Sequence, residues 1–366
     1  MTEHDGSIED GQALDQDELN RFLFSVWNYK MGEQVSLMIH LGDRLGLYQV
    51  MTDAGPLTSD EVATRAGLTE RLVREWLLGQ AAAGLIDRQG DGRFQLTAVG
   101  AAVLANEESS INFAAGAFRG GTDPESVEAL LTSFRTGIGV TYEQQGTAAA
   151  AGLARMTGPR SRLALTSEVL PALDGVVQKL EAGATVIDVG CGAGVTATTI
   201  AAAYPASTCV GYDPSGIAIG MARDRATEAG LDNVRFVEAP AEALPGDGDA
   251  DLVLCFDCLH DMPHPDRAVA AIRSAMAEDG TLLVKDIRST GDFDLDSRNP
   301  MLAMFYGFSV ASCLQSALSE PGGMGLGTLG LHPARLRELV ADVGFHSVIE
   351  HDLDDAANLY YEVRIA

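Results

Sequence analysis

Positive charge is what this chain has least of. Its 25 lysines and arginines face 52 aspartates and glutamates, a formal net charge of -27. Nucleic-acid binding rests on phosphate neutralisation by Lys and Arg, so such a surface argues against a polyanionic partner unless a local basic patch exists. Cysteine is also scarce. Cys191, Cys209, Cys255, Cys258 and Cys313 are few and odd in number, which suits a reduced, cytoplasmic protein better than a disulfide scaffold. No run approaches about 20 uninterrupted apolar residues, so no helical membrane span is expected. The N-terminus lacks a basic segment followed by an apolar one, and no signal peptide is expected. Against these absences stand 366 residues that are 46% hydrophobic, enough for one large or two ordinary cores.

The patterning changes along the chain. Residues 1–18 hold seven acids and no Lys or Arg, which predicts a disordered acidic tail. A long helical pattern follows and breaks at "DAGP". Thr58 or Ser59, with Glu61, then signals a capping box, Gly67 a stop, and Thr69 a second cap. In that next helix Leu72, Val73, Trp76 and Leu77 share one face. Asp91-Gly92 between two short alternating runs signals a hairpin. Helices followed by a hairpin make a winged helix, so residues 19–110 are expected to form an α-rich winged-helix domain. Between Thr58 and Gly100 five arginines meet six acids, a net of -1, so packing or dimerisation fits this module better than DNA contact. Residues 111–180 predict a helical connector and lid. From 181 to 366 strands alternate with helices, the pattern of a doubly wound, Rossmann-like α/β domain with an insertion over 288–330.

The strongest motif is "VIDVGCGAGV". A buried strand runs into Gly190, Gly192 and Gly194, where a backbone free of side chains permits a tight turn and close approach to a ligand. Asp188 precedes the first glycine. D-x-G-x-G-x-G differs from the dinucleotide pattern G-x-G-x-x-G, and the acid suits a cationic or hydroxyl-bearing ligand more than a pyrophosphate. The next strand ends at Asp213-Pro214, where a carboxylate can accept both hydroxyls of a ribose.

From Ala184 onward these motifs resemble the class I S-adenosylmethionine-dependent methyltransferases. The resemblance implies S-adenosyl-L-methionine as cofactor. The glycine loop and Asp188 would lie beside its methionine part, and Asp213 with Pro214 beside the ribose. In the fourth strand Cys255 is read as core or cofactor-facing, and Phe256 beside it is a cofactor-binding candidate. The acid that usually meets adenine is replaced by Pro240, leaving the Ala241 backbone or Glu242 to serve. The N-terminal half is similar to that of the winged-helix small-molecule O-methyltransferases, in which a His-Asp pair supplies the base and the winged helix dimerises. That points to His260, followed by Asp261, and to a homodimer acting on a small-molecule hydroxyl or thiol.

An imidazole with a pKa near ~6.5 can take a proton at neutral pH, so His260 is the candidate general base; the alternative is a residue that fills the loop or caps the following helix. His264, between two prolines, is a helix-start residue or a substrate contact. Tyr29 and Tyr142, with Met304, Phe305 and Phe308 in the insertion, are candidates for the acceptor pocket or for plain helix packing. Cys255-x-x-Cys258 has neither a second pair nor a nearby histidine at ligand spacing, and no metal is expected. Two further functions compete: a winged-helix regulator that senses the cofactor, and a non-catalytic cofactor-binding scaffold.

Overall fold

The structure is a computed structural model. It describes residues 15–365 apart from 110, 111, 113–116 and 119. The chain divides into two compact units, Met1–Ala105 and Asn106–Ala366. No helix among the described residues is long and apolar enough to cross a membrane.

The first unit begins earlier than its acidity suggests. Residues 1–14 of the expected tail lie outside the described residues, but Asp15 caps a helix by accepting the N–H groups of Asp17 and Glu18. This helix, α1 (Gln16–Arg44), absorbs the last acids of the tail into its first turn, where the helix dipole favours them. It buries little beyond Ile39 and Gly42. A Cβ on Gly42 would meet the Trp76 ring at 2.5 Å, so the glycine admits the indole against the α1 backbone. Gly46 (φ +68) turns the chain into the short helix α2 (Leu47–Met51).

The helix α3 (Ser59–Ala66) starts with the Thr58–Glu61 capping box and stops at left-handed Gly67. In the next helix, α4 (Glu70–Ala82), Val73, Trp76 and Leu77 are buried. Leu72, expected beside them, is 72% exposed, because it sits a turn edge away from that stripe. Thr69 occupies the N-cap of α4 without a side-chain bond. Tyr48 donates to Gln80 at 2.7 Å, and its ring packs edge-on to Trp76 with centroids 5.2 Å apart. The wing is two two-residue strands, β1 (Asp87–Arg88) and β2 (Phe94–Gln95), before α5 (Ala98–Leu104).

Three of the five arginines counted in the winged helix pair with acids of the same module. Arg71 pairs with Glu75, Arg74 with Glu70 at 2.6 Å, and Arg93 with Glu61 at 2.9 Å. These exposed pairs contribute little stability, but each occupies a guanidinium that a phosphate would need.

The second unit opens with α6 (Pro124–Thr136) and α7 (Tyr142–Ala164), the latter broken at Gly146 (φ +81) and continued by a π turn over Leu165–Val169. After α8 (Val176–Ala182) a seven-stranded sheet begins. In chain order its strands are β3 (Thr185–Val189), β4 (Thr208–Asp213), β5 (Val234–Glu238), β6 (Ala250–Phe256), β7 (Met276–Ile287), β8 (Ser347–His351) and β9 (Asn358–Arg364). Their spatial order is β5-β4-β3-β6-β7-β9-β8, parallel except for β9, which runs antiparallel to both its neighbours. The alternation of strands and helices expected from residue 181 onward is the observed order.

Helices α9 (Val195–Ala203), α10 (Gly216–Glu228), α11 (Pro265–Ala275) and α15 (Pro333–Ala341) cover the sheet. Between β7 and α15 lie α12 (Phe293–Asp296), α13 (Leu302–Phe308), a second π turn over Ser309–Cys313, and α14 (Leu314–Ala317). Period-two alternation builds a core on each face of the sheet. Val253, Leu282 and Val284 face α11 and α15 with Ile272 and Leu336; Leu252, Leu254 and Leu283 face the other way with Leu180 and Ile200. Each such side chain contributes roughly 1.5–3 kcal/mol by leaving water. The strand order reverses between β3 and β6, so the connections after these two strands lead to opposite faces of the sheet, and it is at such a switch point that α/β sheets place a ligand crevice.

Candidate functional site

The crevice is built by three loops. The first follows β3. Gly190, Gly192 and Gly194 all have positive φ, at +66, +51 and +73. Their surroundings differ. A Cβ on Gly190 would strike Cys258, and one on Gly194 would strike Phe236 and Ala222, so these two glycines serve packing. A Cβ on Gly192 would meet nothing within 4 Å. It would stand in the open crevice, and this glycine is where backbone can meet a ligand.

The second loop follows β4. Asp213 accepts the Gly192 N–H at 2.9 Å with one carboxylate oxygen and the Ser215 N–H at 2.9 Å with the other. The ribose candidate therefore also fastens the glycine loop. Pro214 beside it is exposed. Glu143, at the start of α7, accepts from Ser215 Oγ at 2.6 Å and from the Ile217 N–H at 3.2 Å, which ties α7 to the α10 start. Nothing in the local sequence around Glu143 marks this contact.

Asp188 turns inward. Its carboxylate accepts the Ala197 N–H at 3.2 Å in the first turn of α9. Burial pushes its pKa up to about 7, and the nearby Asp213 adds to the rise. Asp213 is raised as well, burial again first, against the two N–H groups it accepts and with Glu143 adding to it. Among the described residues neither acid has an ion-pair partner. Two uncompensated carboxyls beside an open glycine fit a ligand that carries positive charge and ribose hydroxyls.

The third loop follows β6. Cys258 Sγ donates to the Val189 carbonyl at 3.1 Å, joining this loop to the first. Cys255 is fully buried in the core, and Phe256 lies on the sheet's other face beneath the Lys285 ammonium, 5.3 Å from its ring centroid. Asp257 adopts φ +52 and pairs with Lys285. A single turn over Leu259–Asp261 then carries His260, 2% exposed.

The acid that holds His260 is not its sequence neighbour. The imidazole Nδ1 lies 2.8 and 3.0 Å from the two carboxylate oxygens of Asp286, near the end of β7. Asp286 is itself oriented by the Ile287 N–H at 2.8 Å. Asp261 points instead toward Tyr142 and Cys313, and burial raises its pKa to about 7 despite the imidazole beside it. Burial alone would depress His260. Asp286, with help from Cys313 and Asp261, outweighs it, and the imidazole's pKa is raised well above its ordinary value. Lys285-Asp286 could have been read as a strand end, but no local pattern says that its acid meets His260.

The remaining candidates divide. Tyr142 Oη donates to Cys313 Sγ at 3.7 Å, so both border the imidazole. Met304, Phe305 and Phe308 are half-buried on α13, just ahead of the π turn that carries Cys313. Ala241 is buried in a one-turn helix and Glu242 is exposed. His264 heads α11 and lies 3.4 Å from Glu320. Tyr29 lies on α1 of the first unit, 77% exposed. The "GMGLG" segment closes over the loop: the Met324 N–H donates to Pro263 at 2.7 Å and the Gly327 N–H to the His260 carbonyl at 3.0 Å.

Known proteins carry both halves. Residues 180–317 match the family described as a methyltransferase domain, and residues 33–106 the Rv2258c-like winged HTH domain. An uncharacterized methyltransferase of Bacillus subtilis, YcgJ, is 33% identical over 112 residues, which are 30% of this chain and 44% of that protein. The chain thus spans less than half of that relative's length. The structure of the mitomycin 7-O-methyltransferase MmcR superposes with a TM-score of 0.67 at 21% identity, covering 96% of this chain and all of that one. Human N-acetylserotonin methyltransferase, solved in complex with SAM, superposes with 0.67 at 19% identity over 98% of this chain. At such identities the likeness is one of fold. The chain therefore joins a stretch that matches the Rv2258c-like winged HTH domain to one that matches the methyltransferase domain, in the fold of the methyltransferases that superpose on it.

Proposed function

We propose that the protein transfers a methyl group from S-adenosylmethionine to a hydroxyl or thiol of a small molecule, with His260 as general base. The observation that carries this reading is the buried His260–Asp286 pair at the β3/β6 crevice. Bound S-adenosylmethionine supplies a methyl on a positively charged sulfur, open to in-line attack. The chain's own residues do the rest. Asp213 would hold the ribose and the open backbone at Gly192 would run beside the methionine part, in a site whose acids suit a sulfonium charge. Asp286 accepts a hydrogen bond from the Nδ1–H of His260 and so fixes the tautomer that leaves Nε2 with a lone pair for the acceptor's proton. The imidazolium that forms is stabilised by the same carboxylate, as in other acid–histidine pairs. Asp286 is a positioning residue and His260 the catalytic one.

The test is His260→Ala, assayed with methyl-labelled cofactor against a panel of phenols, alcohols and thiols. Affinity for S-adenosylhomocysteine should hold while turnover with a hydroxyl acceptor falls roughly 10²–10⁴-fold. Thiols, which ionise more readily, should lose less. Equal turnover at every pH would leave positioning alone as the mechanism.

The reading includes a homodimer. The helix α1 exposes Phe22 and Tyr29 on one side and Phe24 and Trp27 on the other, at 59 to 77%, large apolar side chains of a kind that subunit contacts cover. A sedimenting mass of one chain at micromolar concentration would remove that part. The cytoplasm is the compartment the reduced cysteines favour.

A further inference from the structure

Beside the imidazole sits a set of groups that methyl transfer does not use. One ligand atom each from His260, Asp261 and Cys313 lie within 4.8 Å of one another. His260 and Asp261 are 2% and 8% exposed, and Cys313 is partly buried. The three come from two distant parts of the chain. His260 and Asp261 share one short turn after β6; Cys313 ends the π turn over Ser309–Cys313. That π turn is held at two points: Ser312 donates to Gln145 at 2.6 Å, and the Thr328 N–H donates to Ser309 Oγ at 3.2 Å, beside which Gly327 leaves no room for a Cβ. Single π turns inside helices recur at functional sites, where the extra residue re-aims a side chain.

We propose that His260, Asp261 and Cys313 form a binding site for a thiophilic divalent cation, of which Zn2+ is the type. The donor set decides the class. One imidazole, one carboxylate and one thiolate suit zinc and its neighbours; magnesium and calcium take oxygen alone. The charges close, since a thiolate and a carboxylate balance a doubly charged ion. Asp286 holds the Nδ1 edge of the ring at 2.8 Å, the outer carboxylate that fixes a ligating histidine and leaves Nε2 to the metal. Three protein ligands leave a coordination position open, and Tyr142 Oη, 3.7 Å from the Cys313 sulfur, lies beside it. Ligand atoms on a tetrahedral ion stand roughly 3.3–3.8 Å apart, so the three must close by about 1 Å, within the reach of side-chain rotation.

On binding, the Cys313 thiol releases its proton to solvent together with any proton held on Asp261 and on His260 Nε2, no electron moves, and three bonds to the ion form. The ion takes the lone pair that the base would use. Occupancy and turnover by His260 therefore exclude each other; that consequence, unlike the site itself, rests on the base reading above.

Co2+ titration of the metal-free protein tests the site without an acceptor. One equivalent should bring up a thiolate-to-cobalt absorption band and the visible bands of a low-coordinate ion, and Zn2+ should bleach both. Cys313→Ser should lose the thiolate band while keeping its circular dichroism and its affinity for S-adenosylhomocysteine. Asp286→Asn should weaken Zn2+ roughly 10–100-fold, as outer-carboxylate changes do. Absence of the band, its survival in Cys313→Ser, or only weak multi-site binding to the acidic surface would each overturn the proposal.

Discussion

Replacing Asp286 by Asn isolates the charge in the His260 pair. Both carboxylate oxygens face Nδ1, at 2.8 and 3.0 Å, and Oδ1 also accepts the Ile287 N–H at 2.8 Å. That N–H demands an acceptor, so the amide oxygen of the variant takes the Oδ1 place and goes on accepting from Nδ1. Shape and tautomer survive, and what is lost is the negative charge opposite a forming imidazolium. A hydrogen bond to a charged group is worth about 1.5–3 kcal/mol, which corresponds to a roughly 10- to 150-fold fall in kcat. Asp286→Ala also strips the acceptor from Nδ1 and from Ile287, and its loss should extend toward ~10⁴.

The pH dependence carries a sign. Asp286 helps to raise the imidazole's pKa, so in D286N that pKa falls and the limb of the pH–rate profile moves to lower pH. The raised value also means that the pair stabilises the fold below the ordinary imidazole pKa and loses that contribution as pH rises through the folded one. D286N should accordingly be most destabilised in mild acid and least at alkaline pH. The assay is a histidine NMR titration with S-adenosylhomocysteine bound, beside turnover with the best acceptor. An unshifted His260 titration together with unchanged kcat would refute the reasoning, because a carboxylate at 2.8 Å cannot be removed without a change in one or the other.

Two other variants follow from the same geometry. The Asp188 carboxyl, pushed up to about 7 by burial, keeps a proton in the folded chain that the unfolded chain releases near ~4. Stability should therefore fall as pH rises from about 4 to about 7, and Asp188→Asn, still accepting from Ala197, should raise the melting temperature at pH ~8 by removing a cost of up to about 4 kcal/mol; a lower melting temperature there would contradict this. Asp213→Ala should weaken S-adenosylhomocysteine by about 1.5–3 kcal/mol in calorimetry. Part of that loss comes through the Gly192 N–H that Asp213 holds at 2.9 Å, and unchanged affinity would remove the ribose assignment.

The sequence by itself determined whatever depends on neighbours along the chain. Alternating strands, the Gly190–Gly194 loop, the Thr58–Glu61 box and the Asp91-Gly92 turn are local signals, because hydrogen-bond patterns and φ preferences act over a few residues. From them follow the α/β class, the winged helix and the edge of the sheet where the site lies. Only the tertiary structure decided which groups meet there. Lys285 and Asp286 are adjacent, yet the pleat sends them to opposite faces, one to Asp257 and Phe256, the other to His260. Asp261, next to His260 in sequence, is turned aside toward Tyr142 and Cys313 by the single turn that both share. Asp188 also gives one carboxylate oxygen to the Ala197 N–H at 3.2 Å, a contact that its place before the glycine loop does not announce. Cys313 reaches the imidazole only because a π turn is packed beneath Gly327 and the start of α7. Contacts of this kind join residues far apart in the chain. They are fixed by strand order and by packing that no window of sequence contains.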